Sequence, residues 1–268
     1  MKTTIYYFSG TGNSLHAART IARQLPDCRL VNIANLAGQP KDQPMIEESD
    51  DLVGFVFPVY YWDMPDFVRS FLEKISFSGT PYIFVVATMG ALPGNTLVNF
   101  KTLIEQKGQE LSAGFTVIMP DNAYVGHYMG MNHITPPRKR EPMLDRAEQN
   151  LKAIADQVTR RDPAPVKARF TTFKRTVIWE TNLVNRVYGL PKRLHATAAC
   201  ARCGACSRIC PTSNITISAR KVEWDSKCAL CLACFHWCPQ NAVQVDKKTP
   251  RIARYHHPDV SLKDMYVR

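Results

Sequence analysis

The sequence predicts a doubly wound, five-stranded parallel α/β sheet followed by a small α+β domain. Three observations predict it. Over residues 1–162, short apolar runs alternate with stretches of helical periodicity, the pattern of βα units. The first unit carries the turn Ser9-Gly10-Thr11-Gly12-Asn13-Ser14 between its strand and its helix. Toward the other end, eight of the nine cysteines form one spacing twice. Cys200, Cys203, Cys206 and Cys210 precede Pro211, and Cys228, Cys231, Cys234 and Cys238 precede Pro239. These features divide the chain into a sheet domain at 1–162, a helical connector at 163–195 and a cysteine domain with a basic tail at 196–268.

Thr3 to Phe8 is β-rich and forms the first strand. Behind the turn, Leu15, Ala18, Ile21, Ala22 and Leu25 recur at helical spacing. Cys28 to Ile33 is the second strand. Leu52 to Phe57 and Tyr82 to Ala87 are continuous apolar runs of the kind buried on both faces of a parallel sheet, and Phe115 to Met119 is another. Helices are expected between them at 66–74 and 95–106. Glu141 to Arg161 reads as an amphipathic helix with Leu144, Ala147, Leu151, Ile154 and Val158 on one face. Pro163-Ala164-Pro165 ends it. Residues 174–190 give a further helix, a strut before the cysteine domain. There, Ile215 and Ile217 alternate with Val222 and Trp224 as a short hairpin, and Ala242, Val243 and Val245 echo them after the second cysteine run.

Two patterns carry chemistry. Strand, Gly/Ser/Thr turn and helix make an anion site: the glycines let backbone approach, while amides, hydroxyls and the helix N-terminus favour negative charge. Ser9–Ser14 holds no lysine or arginine, so it suits a phosphate bound by neutral donors. Each cysteine run reads C-x2-C-x2-C-x3-C-P, the spacing by which bacterial ferredoxins hold [4Fe-4S] clusters. Disulfides would need an oxidising compartment, and the first residues show no signal-peptide pattern. Zinc sites use separated C-x2-C pairs instead. Reducing cytoplasm is therefore the expected location. Cys28 stands apart and receives no role.

The sheet half resembles a flavodoxin. The whole chain resembles the flavodoxin–ferredoxin fusion proteins of anaerobic microbes, iron-sulfur flavodoxin-like proteins, over residues 1–120 and 196–246. The resemblance implies FMN and two [4Fe-4S] clusters. The FMN phosphate would lie in Ser9, Gly10, Thr11, Gly12, Asn13 and Ser14. Its ring would lie between the loops at 58–65 and 88–95, which makes Pro58, Tyr60, Tyr61, Trp62, Thr88, Met89 and Gly90 the candidate contacts, with Trp62 or Tyr61 stacking on the ring. In two-cluster ferredoxins the fourth cysteine of each run serves the other cluster. The resemblance thus assigns Cys200, Cys203, Cys206 and Cys238 to one cluster, and Cys228, Cys231, Cys234 and Cys210 to the second.

Clusters pass single electrons and flavins one or two, so the implied function is electron transfer between a low-potential donor, the clusters and FMN. The direction of flow stays open. A second reading is an FMN-dependent reductase of a small organic acceptor, with a pocket built from Tyr124, His127 and Tyr128 of the long loop 121–137. A third is a pure carrier exchanging electrons only with proteins. His127 and His133 are candidate proton donors. His236 could tune a cluster potential or face water. No G-x-G-x-x-G dinucleotide turn is visible.

The net charge of +11 is concentrated after residue 135. A basic face steers acidic redox partners, such as a ferredoxin or another flavoprotein. The basic residues are scattered and no nucleic-acid motif accompanies them, so nucleic acid is not an expected partner. No apolar run reaches the length of a membrane span.

Overall fold

The computed structural model describes residues 2–37, 46–124, 134–166, 189, 192–219 and 221–267. The loop residues 125–133, with His127, Tyr128 and His133, lie outside the described residues. So does the helix expected over 174–190, apart from Gly189.

The sheet half runs β1 (Thr3–Tyr7), α1 (Asn13–Ala22), β2 (Cys28–Asn32), α2 (Ile33–Ala37), β3 (Ile46–Glu48), β4 (Leu52–Pro58), α3 (Asp66–Lys74), β5 (Ile75–Phe77), β6 (Tyr82–Met89), α4 (Thr96–Glu105), β7 (Leu111–Ile118) and α5 (Pro137–Thr159). Five strands form one sheet in the order β2-β1-β4-β6-β7, every neighbour parallel. Counted among themselves, these are in the 2-1-3-4-5 order of doubly wound, flavodoxin-like sheets. Strand β4 is central, and its side chains alternate between two layers as the period of a strand requires. Val53, Phe55 and Phe57 pack with Phe71, Leu72 and Phe100 on one face. Leu52 and Val56 pack with Ala17, Ile21, Leu151 and Val158 on the other. Helices α3 and α4 thus cover one face, α1 and α5 the other. The carboxyl ends of β1, β4, β6 and β7 open toward a common edge, where such sheets bind ligands.

Three departures from the sequence reading have local causes. Strands β3 and β5 pair in parallel beside the main sheet. Each is three residues long, too short for a periodic signal. Helix α5 begins at Pro137, a full turn before Glu141, with Pro142 inside it. The missing Pro142 N–H frees a carbonyl in a solvent-exposed first turn, where water can satisfy it. Strand β7 begins at Leu111, because Ser112 and Gly114 interrupt its apolar run without ending it.

The cysteine half contains β8 (His195–Ala196), α6 (Ala205–Arg208), β9 (Ile215–Ile217), β10 (Val222–Trp224), α7 (Ala233–His236) and β11 (Val243–Gln244). The expected hairpin forms from β9 and β10. Its echo does not close on itself: β11 pairs antiparallel with β8, the strand that enters the domain. Short 3-10 turns at Thr249–Arg251 and Leu262–Met265 shape the tail. The two halves share one apolar core, in which Ile209, Cys231, Ala233, Trp237, Val260 and Met265 join the layer under α3 and α4. No described helix is long and apolar enough to cross a membrane.

Candidate functional site

Ser9, Gly10, Thr11, Asn13, Ser14, Pro58, Val59, Tyr60, Thr88, Met89, Gly90, Pro120, Asp121 and Asn122 line one cleft of about 350 Å³ at the carboxyl edge of the sheet. Its floor is the turn after β1. Gly12 takes φ +97, which a β-carbon disfavours, and there the chain swings into α1. No side chain caps α1, so the amides of its first turn remain available to an anion. The side chains of the turn mostly brace it. Ser9 Oγ accepts from Gly12 N at 3.0 Å. Thr11 Oγ1 accepts from Asn122 Nδ2 at 2.5 Å. Ser14 Oγ and Thr88 Oγ1 share a hydrogen bond of 2.8 Å. Asn13 is used at both ends: Nδ2 donates to Pro120 O, and Oδ1 accepts from Tyr255 Oη. An incoming phosphate would therefore meet backbone N–H groups first.

Tyr60 is held by a tight turn. Tyr60 N donates to Asp63 O and Asp63 N to Tyr60 O, with Tyr61 and Trp62 at φ 50 and 62 between them. Two non-glycine residues in that region cost about 1–3 kcal/mol each and need outside support. Asn95 N supplies it by donating to Trp62 O, beside Gly94, where any β-carbon would strike that carbonyl. The Asp63 carboxylate accepts from Met64 N, Arg69 and Asn99. The turn separates the three candidate aromatics. Tyr60 lines the cleft and also, with Tyr61, Lys227 and Cys228, a second cavity; Tyr61 lines only the second, and the Trp62 carbonyl is tied to the 94–95 loop.

The cysteines fall into two groups of four. Cys200, Cys203, Cys206 and Cys238 line one small cavity, walled by Ile217, Val222 and Val243. The Cys206 thiol is pushed up to about 11, first by burial and then by repulsion from Cys238, Cys200 and Cys203. In the other group, burial raises the Cys231 thiol well above its ordinary value, and Cys228, Cys234 and Cys210 add to it. Each group thus draws three members from one run and one from the other. All nine cysteines are free thiols. Among the described residues, no three of their sulfurs lie within 4.8 Å of one another. Thiolates around a single tetrahedral zinc would sit roughly 3.8 Å apart, from a Zn–S bond of about 2.3 Å. The groups suit a larger body.

The second group abuts the cleft. A β-carbon on Gly10 would lie 2.6 Å from Tyr60 Oη, 3.0 Å from Cys231 O and 3.4 Å from Cys231 Cβ. Trp237 Nε1 donates to Gly10 O at 3.1 Å. Two buried donors here lack a conventional partner among the described residues: Tyr60 Oη and Trp224 Nε1. Burial raises the Tyr60 hydroxyl strongly, and Cys231 and Cys228 contribute after it. Burial raises the Cys234 thiol, and the Trp224 N–H is the one group that pulls it down. Both orphaned donors therefore face the second group. Tyr60 Oη is short of an acceptor, while the Trp224 N–H faces the Cys234 sulfur without a well-formed hydrogen bond to it; a cluster with its thiolates and sulfides would supply acceptors for both. The residues present fit such a group.

The tail, which the sequence reading described only as basic, locks this junction. Tyr255 Oη reaches Asn13, His257 N donates to Thr11 O, and His257 and Val260 press on Gly12. Arg19 pairs with Asp264 at 2.7 Å. His236 does not face water: it is buried, Nε2 donating to Asn122 O and Nδ1 accepting from Tyr255 N. Burial pushes it down to about 3, so it stays neutral. Tyr124 does not line the cleft and donates to Asp246 beside Arg193. His16, His257 and Asp259 place ligand atoms within 4.8 Å of one another. Their imidazoles stack at 3.9 Å, which sets the nitrogen lone pairs side by side rather than converging, and His16 already pairs with Glu148. That group reads as a clasp between α1 and the tail. Cys28 sits half-buried in β2, its thiol pushed up to about 11 by burial.

Sequence reading placed the loop 121–137 at this edge of the sheet but named no role for Pro120, Asp121 or Asn122. Asn122 gave no signal of its own, and its part in the cleft rests on contacts across more than 100 residues.

No protein-family model matches the chain, and no curated protein matches it. Solved structures similar to it include oxidised flavodoxin 1 from Bacillus cereus, at 16% identity over 60% of this chain and 98% of that one, TM-score 0.39. The Trp repressor binding protein from Bacillus subtilis is 15% identical over 61% of this chain and 100% of that one, TM-score 0.38. An FMN-dependent NADH-azoreductase from Bacillus anthracis is 9% identical over 59% and 100%, TM-score 0.38. Likeness at these values carries no argument about what the chain does.

Proposed function

We propose that this chain is an electron-transfer iron-sulfur flavoprotein. FMN would occupy the cleft at Ser9–Ser14, Pro58–Tyr60, Thr88–Gly90 and Pro120–Asn122, and each cysteine group would hold one [4Fe-4S] cluster. The observation that carries the reading is the contact of Cys231 and Tyr60 at Gly10, which joins the second cysteine group to the floor of the anion turn. When bound, the clusters supply single-electron transfer and the flavin a change between one- and two-electron chemistry.

The chain's own residues supply position and environment. The amides of the turn and of the α1 N-terminus hold the phosphate. Tyr60, held rigidly by the turn at 60–63, separates the ring side of the cleft from the second group. Burial of Cys231 and Cys234 excludes water there, while the exposed Cys203 gives the first group a surface. Arg254, near both Cys238 and Cys234, places a cation between the groups and offsets their negative charge. An acidic redox protein would approach the first group. The second reading, reduction of a small organic acceptor, is favoured by one observation: a second open cavity bounded by Tyr60, Tyr61, Asp63, Lys227 and Cys228.

The test is anaerobic reconstitution followed by cofactor counting and rapid mixing with a low-potential reductant. The reading expects roughly eight irons and one flavin per chain, with iron-sulfur absorbance responding before the flavin's. Zinc in place of iron, or flavin reduced at the same rate in protein lacking iron, sinks it. Turnover with quinones or nitro compounds would select the second reading.

A further inference from the structure

We propose that Tyr60 and Trp224 are positioning residues that raise the reduction potential of the second metal centre, the one on Cys228, Cys231, Cys234 and Cys210, and leave the first untouched. The inference rests on the iron-sulfur reading above and deepens it.

The argument starts from the two orphaned donors. A buried O–H or N–H without an acceptor costs about 1–3 kcal/mol, so folded proteins rarely keep one without a use. Among the described residues there are three, and two of them, Tyr60 Oη and Trp224 Nε1, sit at the same cysteine group, the third being Thr3 Oγ1 in β1. Tyr60 Oη and the Cys231 carbonyl oxygen lie 2.6 and 3.0 Å from where a β-carbon on Gly10 would stand, and Cys231 Cβ, which carries the sulfur, lies 3.4 Å from it. The turn at 60–63 fixes the tyrosine from behind, and the Phe8 ring, 6.2 Å away edge-on, limits its swing. Trp224 reaches Cys234 from β10, so the two donors come from opposite halves of the chain.

The first group has no such pair. Among the described residues its sulfurs receive hydrogen bonds from backbone amides only: Ala242 N to Cys238 Sγ at 3.2 Å, and Ser207 N to Cys206. The second group also has backbone donors, Asn214 N to Cys210 at 3.2 Å and Leu230 N to Cys228 at 3.4 Å. The side-chain donors are thus an addition specific to it. A donor aimed at sulfur stabilises the more negative, reduced state, so it raises the potential. Electrons arriving at the first centre are thereby drawn toward the flavin cleft.

The experiment is a redox titration of the reconstituted full chain, each centre read by its electron-spin signal. In Tyr60→Phe, and separately in Trp224→Phe, the second centre's reduced-to-oxidised ratio at fixed ambient potential should fall about tenfold, 59 mV for a one-electron couple. The first centre should not move. Tyr124→Phe, whose hydroxyl serves Asp246, should move neither. Unchanged potentials in both variants with iron content intact overturn the proposal. Wild-type protein without clusters would instead overturn the iron-sulfur reading. Should the variants lose iron, incorporation of difluorotyrosine, a stronger donor of the same shape, decides: the second potential must rise, and no shift overturns the proposal.

Discussion

The two cysteine groups have one spacing and two environments. The first opens to solvent at Cys203, and its cavity is walled by apolar side chains of its own domain. The second buries Cys231 and Cys234, lies against Gly10 of the sheet domain and is faced by Tyr60 and Trp224. The difference teaches that a repeat can supply equivalent ligands while the surrounding fold gives them unequal positions. One group is open to the surface and the other is buried in the interior.

The largest test of that comparison removes one ligand from each group. Cys231→Ser should halve the iron and cut exchange between flavin and the surviving first centre about a hundredfold. Cys203→Ser should halve the iron too, yet leave exchange between a photoreduced flavin and the second centre intact. Electron-spin spectra after illumination read both, and the opposite pattern would reverse the order of the two centres.

A smaller effect sharpens the same contrast at two glycines. Gly10→Val must displace Tyr60 and Cys231, so it should cost about 1–3 kcal/mol and weaken flavin binding. Gly204→Ala, at φ 80 with only Arg208 within 4 Å, should cost about 1–2 kcal/mol of backbone strain and leave flavin affinity unchanged. Chemical denaturation and flavin titration measure both. Equal flavin affinities in the two variants would mean that the second group does not border the cofactor cleft.

The smallest effect concerns the tail that holds the junction closed. His257 is buried against His16, Thr11 and Gly12, with Asp259 beside it and Glu148 across the His16 ring. Burial, then the His16 ring, pushes it from 6.5 down to about 3. Between those values the unfolded chain holds a proton that the folded chain does not. Its stabilising contribution is therefore full above pH 6.5 and lost progressively as pH falls toward 3. At pH 5 the loss is about 2 kcal/mol, at 1.36 kcal/mol per unit. His257→Asn should roughly halve the slope of thermal midpoint against pH in this window, His236 carrying the remainder, and an unchanged slope would assign the dependence elsewhere.

Much of the sheet was legible because central parallel strands are buried on both faces. Leu52–Phe57 and Tyr82–Ala87 read as unbroken apolar runs, and the structure extends each by only one or two residues. The edges were less so. Strands β3 and β5 are three residues each, and the acid in β3, Glu48, is buried as the acceptor for Tyr6 Oη rather than marking a loop. At the cleft, Ser9–Ser14 and Thr88–Gly90 were readable from turn chemistry. Which of Tyr60, Tyr61 and Trp62 faces the cleft was not, because two left-handed residues in succession invert the alternation a sequence pattern assumes. The bracing role of Asn13 was hidden as well, since Pro120 and Tyr255 lie 107 and 242 residues away.

By itself the sequence determined the local chemistry: two cysteine runs at cluster spacing, a neutral anion turn between strand and helix, and the periodicities that make a doubly wound sheet. These are properties of adjacent residues, and covalent spacing fixes them before any folding. Only the tertiary structure decided that the second cysteine group rather than the first meets the turn, that Tyr60 and Trp224 reach it from opposite halves, and that the tail closes over Gly12. The residues that make those contacts are brought together by burial of a shared apolar core, and burial depends on which surfaces meet rather than on which residues are neighbours in the chain.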